Sequence, residues 1–336
     1  MARNNAFYHR FLDLNAASLN VYSKNIIKRL WVSLKALWIL IFLKDRNIFI
    51  HQGSLLVLFP VFLMRISFLR KVVFYLLNHL ASRNRLTLEV NDLPYEQSID
   101  LELDVDYTYK LLQDGFYTIK GCHYIFASNA MAEYVAEKYS IQGKYFKVII
   151  NGAPEVSNHT VIFDEQKWIT STSTKYVYAG SLNKGRQIEE LLAIFKENEN
   201  NLLIILGNNG EWLKEIDLPT NIIYLGNFEE KEAHYLVSKC DIGIIPYREE
   251  RFYYNLCFPT KASFYLTAGV PILTTPLKEL QQVFKDKKAL LFVPFINWHT
   301  TIKNLDNTEI IIMKESAKKI KDSYSWKAIL NENKFD

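Results

Sequence analysis

The sequence predicts an α/β protein made of two Rossmann-like β/α/β domains facing a central cleft. Three observations carry that expectation. Short apolar runs alternate with longer amphipathic ones, the pattern of buried parallel strands covered by helices. The alternation stops at a polar, Ser/Thr-rich stretch over residues 155–174 (EVSNHTVIFDEQKWITSTST) and then restarts. The chain has 336 residues, 49% of them hydrophobic and 23% charged, which is long enough for two cores and too apolar for disorder. The expected boundaries are 1–160, 170–310 and a C-terminal helical segment, 311–336, free to return to the first domain.

In the first domain Asn47–His51 (NIFIH) reads as a buried strand stopped by a polar residue and Gly53. Ser54–Ala81 reads as helical, with Pro60 disturbing its start. Leu86–Val90 is a strand ending in the turn Asn91-Asp92-Leu93-Pro94, and Asp100–Ile119 reads as one helix. His123–Ala127 is a strand, Ser128 is an N-cap for a helix over Asn129–Tyr139, and Lys147–Ile150 is the next strand. In the second domain strands are expected at Lys175–Ala179, Leu202–Leu206, Ile222–Leu225, Asp241–Pro246 and Val270–Thr274. Helices are expected at Arg186–Glu197, Glu229–Cys240, Pro259–Ala268, Leu277–Lys285 and Glu315–Ile329.

Charge is unevenly spread. Residues 1–88 hold 13 Lys/Arg against Asp13 and Asp45, a net of +11, which leaves −7 on the remainder of a chain of net charge +4. The same region is rich in Trp, Phe, Leu and Ile, which favours an anionic membrane surface over nucleic acid as partner. The longest apolar run, Leu30–Leu43, is 14 residues long and is interrupted by Lys35, so it is short for a spanning helix. Read as a helix, Lys24, Lys28 and Lys35 share one side, beside Trp31, Leu34, Trp38 and Ile41. Residues 1–20 hold no apolar signal core. The expected location is therefore cytoplasmic, peripheral to the inner face of the cell membrane. Cys122, Cys240 and Cys257 have no paired spacing, which argues against a disulfide framework or a cysteine-rich metal site.

Two segments of the second domain carry chemistry. Gly180-Ser181-Leu182-Asn183-Lys184-Gly185 joins a strand to a helix, where glycines permit close backbone approach and a helix N-terminus favours an anion. In Cys257–Pro271, Pro259 opens a helix and Lys261 falls in its first turn, a place that opposes the helix dipole unless an anion sits there. Lys184 and Lys261 are expected to clamp a diphosphate together. The alternative for each is a lysine pointing to solvent.

These residues bear a resemblance. Tyr178-Ala179-Gly180-Ser181 with Lys184-Gly185, the Asp241–Pro246 strand and FPTKASFYLTAGVPILTT resemble the C-terminal half of a GT-B glycosyltransferase, of the family 4-like bacterial type that builds surface polysaccharides such as capsule or O-antigen. Glu89–Pro94, Ala127-Ser128 and Ile149–Gly152 are weaker matches in the first half. The resemblance implies a hexosyltransferase that moves a sugar from a nucleotide diphosphate, UDP in the first instance, to a lipid-linked or growing glycan. It implies donor binding by residues 170–310 and an acceptor- and membrane-facing domain over residues 1–160. Donor contacts then fall on Gly180, Ser181, Lys184, Tyr247, Arg248, Glu250, Pro259, Thr260 and Lys261. Lys184, Lys261 and the helix N-termini supply the charge that a leaving diphosphate needs, so the donor is a substrate and no metal or cofactor is expected. Asp92 is the leading candidate for the base on the acceptor hydroxyl, with His51 in an analogous place on the preceding strand. Their structural alternatives are a turn cap before Pro94 and a hydrogen bond to a backbone carbonyl.

The chain also departs from the family. The slots of the family's paired glutamates fall on Leu256 and Phe264, Ser181 stands where an arginine is common, and residues 1–22 hold no glycine for the usual first loop. Asp104-Val105-Asp106 looks like a metal-binding Asp-x-Asp, but within a predicted helix its two carboxylates point apart. The rival readings are a sugar-nucleotide epimerase of the same fold and a non-catalytic subunit of a polysaccharide assembly complex.

Overall fold

The computed structural model describes residues 2–21, 24–155, 167–183 and 186–333. The chain divides into two compact units, 1–150 and 151–336.

The first unit runs α1 (Ala2–Asp13), α2 (Ile26–Phe42), β1 (Asn47–His51), α3 (Gln52–Leu58), α4 (Val61–Met64), α5 (Ser67–Arg83), β2 (Arg85–Val90), α6 (Pro94–Asp100), α7 (Thr108–Phe116), β3 (His123–Phe126), α8 (Asn129–Tyr139) and β4 (Phe146–Val148). Its four strands pair in parallel in the order β1-β2-β3-β4. Leu86, Leu88 and Val90 alternate with partners on the opposite face, and all three are buried. The glycine-free first residues form α1, whose Phe7 is buried and stacks on Phe49 of β1. The helix expected from Ser54 to Ala81 is three helices, because Pro60 cannot continue α3 and instead caps α4. The helix expected over Asp100–Ile119 is also broken. Glu102 adopts a left-handed φ of 55°, and α7 starts only at Thr108. Asp104-Val105-Asp106 is therefore a loop. Asp106 accepts from the Thr108 N–H and pairs with Arg65 at 2.9 Å, so its oxygens are engaged for a reason other than the one helix geometry gave. A cavity of about 630 Å³ lies between this loop and Arg65 and Arg70.

The second unit runs α9 (Lys167–Thr170), β5 (Lys175–Ala179), α10 (Ile188–Lys196), β6 (Leu202–Leu206), β7 (Ile222–Gly226), α11 (Glu230–Val237), β8 (Ile242–Ile245), α12 (Phe252–Leu256), α13 (Thr260–Thr267), β9 (Ile272–Thr274), α14 (Lys278–Val283), β10 (Leu290–Phe292), α15 (Trp298–Asn304), α16 (Asn307–Ile320) and α17 (Trp326–Glu332). The strands form one parallel sheet in the order β10-β9-β8-β5-β6-β7. β10 is an addition to the strands expected from the sequence. β5, β6 and β8 read as continuous apolar runs because helices cover both faces, and Tyr176, Ile204 and Ile244 are all fully buried. The single helix expected over Glu315–Ile329 is α16 and α17 with a tight turn between them, where Ser325 caps α17 and bridges to Ala153. Residues 307–333 thus belong to the second unit.

Candidate functional site

The strand order of the second sheet creates the site. From β5 the chain proceeds to β6 and β7 on one side and later to β8, β9 and β10 on the other. In such sheets the two loops at this reversal part from each other, leaving a crevice at the carboxyl ends of the strands. Gly180 follows β5 there, and Pro246-Tyr247 follow β8.

Lys261 enters this crevice from the first turn of α13, with Pro259 as the N-cap and Thr260 exposed beside it. The lysine is only 7% exposed. Its ammonium donates to the Tyr247 hydroxyl at 2.9 Å and lies 4.7 Å from the Tyr178 ring centre and 5.0 Å from that of Tyr247. Tyr254 stacks on Tyr247 with centroids 4.6 Å apart. Electron-rich faces stabilise a cation, but they leave its net charge uncompensated. Among the described residues, no carboxylate lies within ion-pair distance of it. Burial opposes the charged form, and the surrounding Tyr178, Tyr247 and Tyr265 hydroxyls outweigh it, so the Lys261 pKa stands above its ordinary value. Tyr247 responds in reverse. Burial raises it, the adjacent ammonium lowers it, and the net shift is downward.

Glycine is required at two neighbouring strand ends. Gly180 has φ +149°, and a Cβ there would fall 2.6 Å from Cε and 2.8 Å from Nζ of Lys261. At Gly207 (φ +146°), a Cβ would fall 1.8 Å from the Gly180 carbonyl oxygen. The two backbones therefore close up, and the lysine lies over the first.

The other expected donor contacts divide. The Ser181 carbonyl accepts from the Tyr178 hydroxyl at 2.9 Å. Arg248 reaches Glu190 at 3.1 Å and Glu250 at 4.0 Å, on the exposed rim. Lys184 lies outside the described residues, so of the expected lysine clamp one half is described. Sequence reasoning missed Arg186 and Gln187, which line a small cavity with Pro246, Tyr247, Arg248 and Tyr254. Gln187 is 6% exposed, holds a left-handed φ of 58°, and among the described residues its amide oxygen has no hydrogen-bond partner. Of the tyrosine cage, Tyr247 at the end of β8 was an expected donor contact, whereas Tyr178 of β5 and Tyr254 of α12 were not singled out as contacts.

At the carboxyl end of the first sheet, His51 and Asp92 flank a residue the sequence did not single out. Glu89 is fully buried on β2 and pairs with Arg3 of α1. Arg3 also donates to the Ile149 carbonyl at 2.8 Å. His51 Nε2 lies 3.0 Å from the second Glu89 oxygen, while its Nδ1 accepts from the Gly53 N–H at 3.0 Å. That acceptance leaves the proton of the neutral ring on Nε2, facing Glu89. His51 thus caps α3 through an N–H rather than bonding a backbone carbonyl, and it holds no free lone pair for a substrate proton. Burial lowers its pKa against the pull of Glu89. Asp92 does not act as a turn cap. It has no hydrogen-bond or ion-pair partner among the described residues. Burial, then the Glu89 charge, raise its pKa from 3.8 to about 6. A carboxylate so placed is ionised at neutral pH, yet basic enough to take a proton.

Residues 162–322 match the family described as glycosyl transferases group 1. No curated relative matches the chain. Among solved structures, Anabaena Alr3699/HepE in complex with UDP is similar at 12% identity and a TM-score of 0.60, over 90% of this chain and 80% of that one. Sucrose-phosphate synthase (tll1590) from Thermosynechococcus elongatus is similar at 14% and 0.58, over 74% of this chain and 66% of that one. WaaG, a glycosyltransferase involved in lipopolysaccharide biosynthesis, is similar at 13% and 0.50, over 73% and 76%. The chain thus spans just under two thirds of the synthase, and at these identities the likeness is one of fold. Residues 162–322 thus form a glycosyl transferases group 1 domain, and the chain, with one parallel sheet in each of two units, shares the GT-B fold.

Proposed function

We propose that the protein transfers a sugar from a UDP-linked donor to a lipid-linked or growing polysaccharide acceptor, at the inner face of the cell membrane. The observation that carries the reading is the Lys261 ammonium, buried without a carboxylate at a strand-order reversal inside the group 1 domain. An ammonium so placed is made to receive an anion, and the leaving diphosphate is one. HepE was solved with UDP, and WaaG serves lipopolysaccharide biosynthesis, which support a uridine donor and a surface glycan as product.

In the reaction the bond between sugar C1 and the diphosphate oxygen breaks, and its electron pair leaves on the phosphate. Lys261, Arg248 and the first N–H groups of α13 stabilise that charge. The acceptor oxygen forms the new bond to C1, and its proton passes to Asp92. Gly180 and Ser181 give backbone approach, and Tyr247 holds the ammonium in line. No step requires a metal.

Membrane docking rests on the first unit. On α2, Ile27, Leu30, Trp31, Leu34, Trp38 and Ile41 are exposed at helical spacing, with Lys28 and Lys35 exposed among them. Phe62, Ile66, Phe68 and Tyr75 are exposed on and around α4 and α5, next to Arg65 and Lys71. A water-facing stripe of this size, mixed with cations, suits the headgroup boundary of an anionic bilayer. Among the described residues, no helix is long and apolar enough to cross a membrane.

The test is Lys261→Ala, read by calorimetry with UDP and by transfer from a panel of nucleotide sugars. Loss of both is expected, and unchanged UDP affinity refutes the reading. A second reading, a non-catalytic subunit, is favoured by one observation. The family's glutamate slots hold buried Leu256 and half-buried Phe264, whose ring lies 4.8 Å from that of His234. Donor turnover by the isolated chain excludes it.

A further inference from the structure

α1 is more than a cover for the first sheet. Its Arg3 is 6% exposed and enters the carboxyl end of that sheet, where it meets Glu89, a carboxylate with no exposed surface. Its second anchor is the Ile149 carbonyl just past β4. Arg3 therefore ties the end of β2 to the end of β4, standing 86 residues from Glu89 and 146 from Ile149 in the chain. A lone carboxylate in such a place would be strongly disfavoured, so each charge requires the other. On its other side Glu89 faces the His51 ring, which is locked in one tautomer by the Gly53 N–H. Three residues beyond Glu89 on the same strand end is Asp92.

We propose that Arg3, Glu89 and His51 form a buried positioning network for Asp92, and that α1 is thereby a working part of the acceptor-side site. The proposal rests on the reading of Asp92 as the base. Glu89 supplies the negative charge beside Asp92, Arg3 keeps that charge in place, and His51 Nε2 lies 3.0 Å from the carboxylate's second oxygen. The groups that act on Asp92 are Glu89 from β2 and Tyr117 at the end of α7, while His51 at the end of β1 and Arg3 from α1 face Glu89. None of the three network residues needs to touch substrate.

The test uses the full chain and reads thermal unfolding midpoints between pH 4 and 8. The stability change caused by Asp92→Asn, followed against pH, titrates Asp92 itself. In the native background the change grows from about pH 3.8 and levels off above about 6, the upper end marking the folded-state pKa. In a Glu89→Gln background that upper end is expected to fall, because a negative neighbour has gone and Arg3 remains. An unmoved upper end overturns the proposal. A cycle tests the partnership. Glu89→Gln destabilises the native chain by stranding Arg3, and stabilises an Arg3→Met chain by removing a stranded carboxylate. Arg3→Lys, which keeps a cation there, leaves Glu89→Gln destabilising. The same sign in the native and Arg3→Met backgrounds overturns the partnership. These readouts need no turnover. Sugar transfer that survives Asp92→Asn removes Asp92 as the base while leaving the network standing on its melts.

Discussion

Asp92→Asn should make the protein more stable as it makes it inactive. In the folded chain Asp92 is an acid of pKa about 6, against 3.8 for the same group in water. Each pH unit of displacement is worth about 1.36 kcal/mol, so at pH 8 the ionised carboxylate costs the fold about 3 kcal/mol. Because the folded pKa is the higher one, the folded state holds the extra proton between these values. Stability from this group is fully present below about pH 3.8 and is lost as pH rises through about 6. Asparagine keeps the shape and removes the charge. Its gain should be close to nil at pH 4, half grown between the two pKa values, and full at pH 8. For a unit of this size 3 kcal/mol corresponds to roughly 6–12 °C in the unfolding midpoint. Differential scanning calorimetry of the two chains at pH 4, 6 and 8 measures it. A gain that does not depend on pH, or no gain at pH 8, refutes the argument. If Asp92 is the base, sugar transfer falls in the same variant by about 10²–10⁴-fold.

Other outcomes follow from the same geometry. Gly180→Ala should displace the Lys261 side chain and weaken UDP binding by at least tenfold without unfolding the chain, as calorimetry and circular dichroism will show. Burial pulls His234 down to about 4, so the second unit should lose about 3 kcal/mol as pH falls from 6.5 to 4, where the unfolded chain takes up a proton that the folded one refuses. His234→Gln should flatten that limb of a urea-unfolding series. Trp31→Glu with Trp38→Glu should cut flotation with anionic vesicles severalfold and leave UDP affinity unchanged, since both residues are solvent-facing on α2.

Much of the second unit was legible in the sequence. Its central strands are uninterrupted apolar runs, and Pro259 announces a helix start with Lys261 two positions on. β10 escaped notice because three residues between a lysine pair and Pro294 give no periodicity to read. The lysine's surroundings were not legible at all. Tyr178 and Tyr247 stand 83 and 14 residues from Lys261 in the chain, and only the strand order brings them together. Arg3 and Glu89, 86 residues apart, are the same case in the first unit. Local rules misjudged residues 100–119, where helical spacing of apolar residues outweighed the weak stop at Glu102. They succeeded with α2, whose exposed stripe follows directly from its periodicity.

Gly180 and Gly207 meet at the ends of β5 and β6, where a side chain on Gly207 would strike the Gly180 carbonyl and one on Gly180 would strike Lys261. Neither glycine admits a side chain, so the main chain beneath Lys261 is held to one shape. On the proposed reading, adaptation to new sugars proceeds through the rim, by exchanging side chains such as Gln187, Arg248 or Tyr254, while the main chain underneath stays as a fixed die.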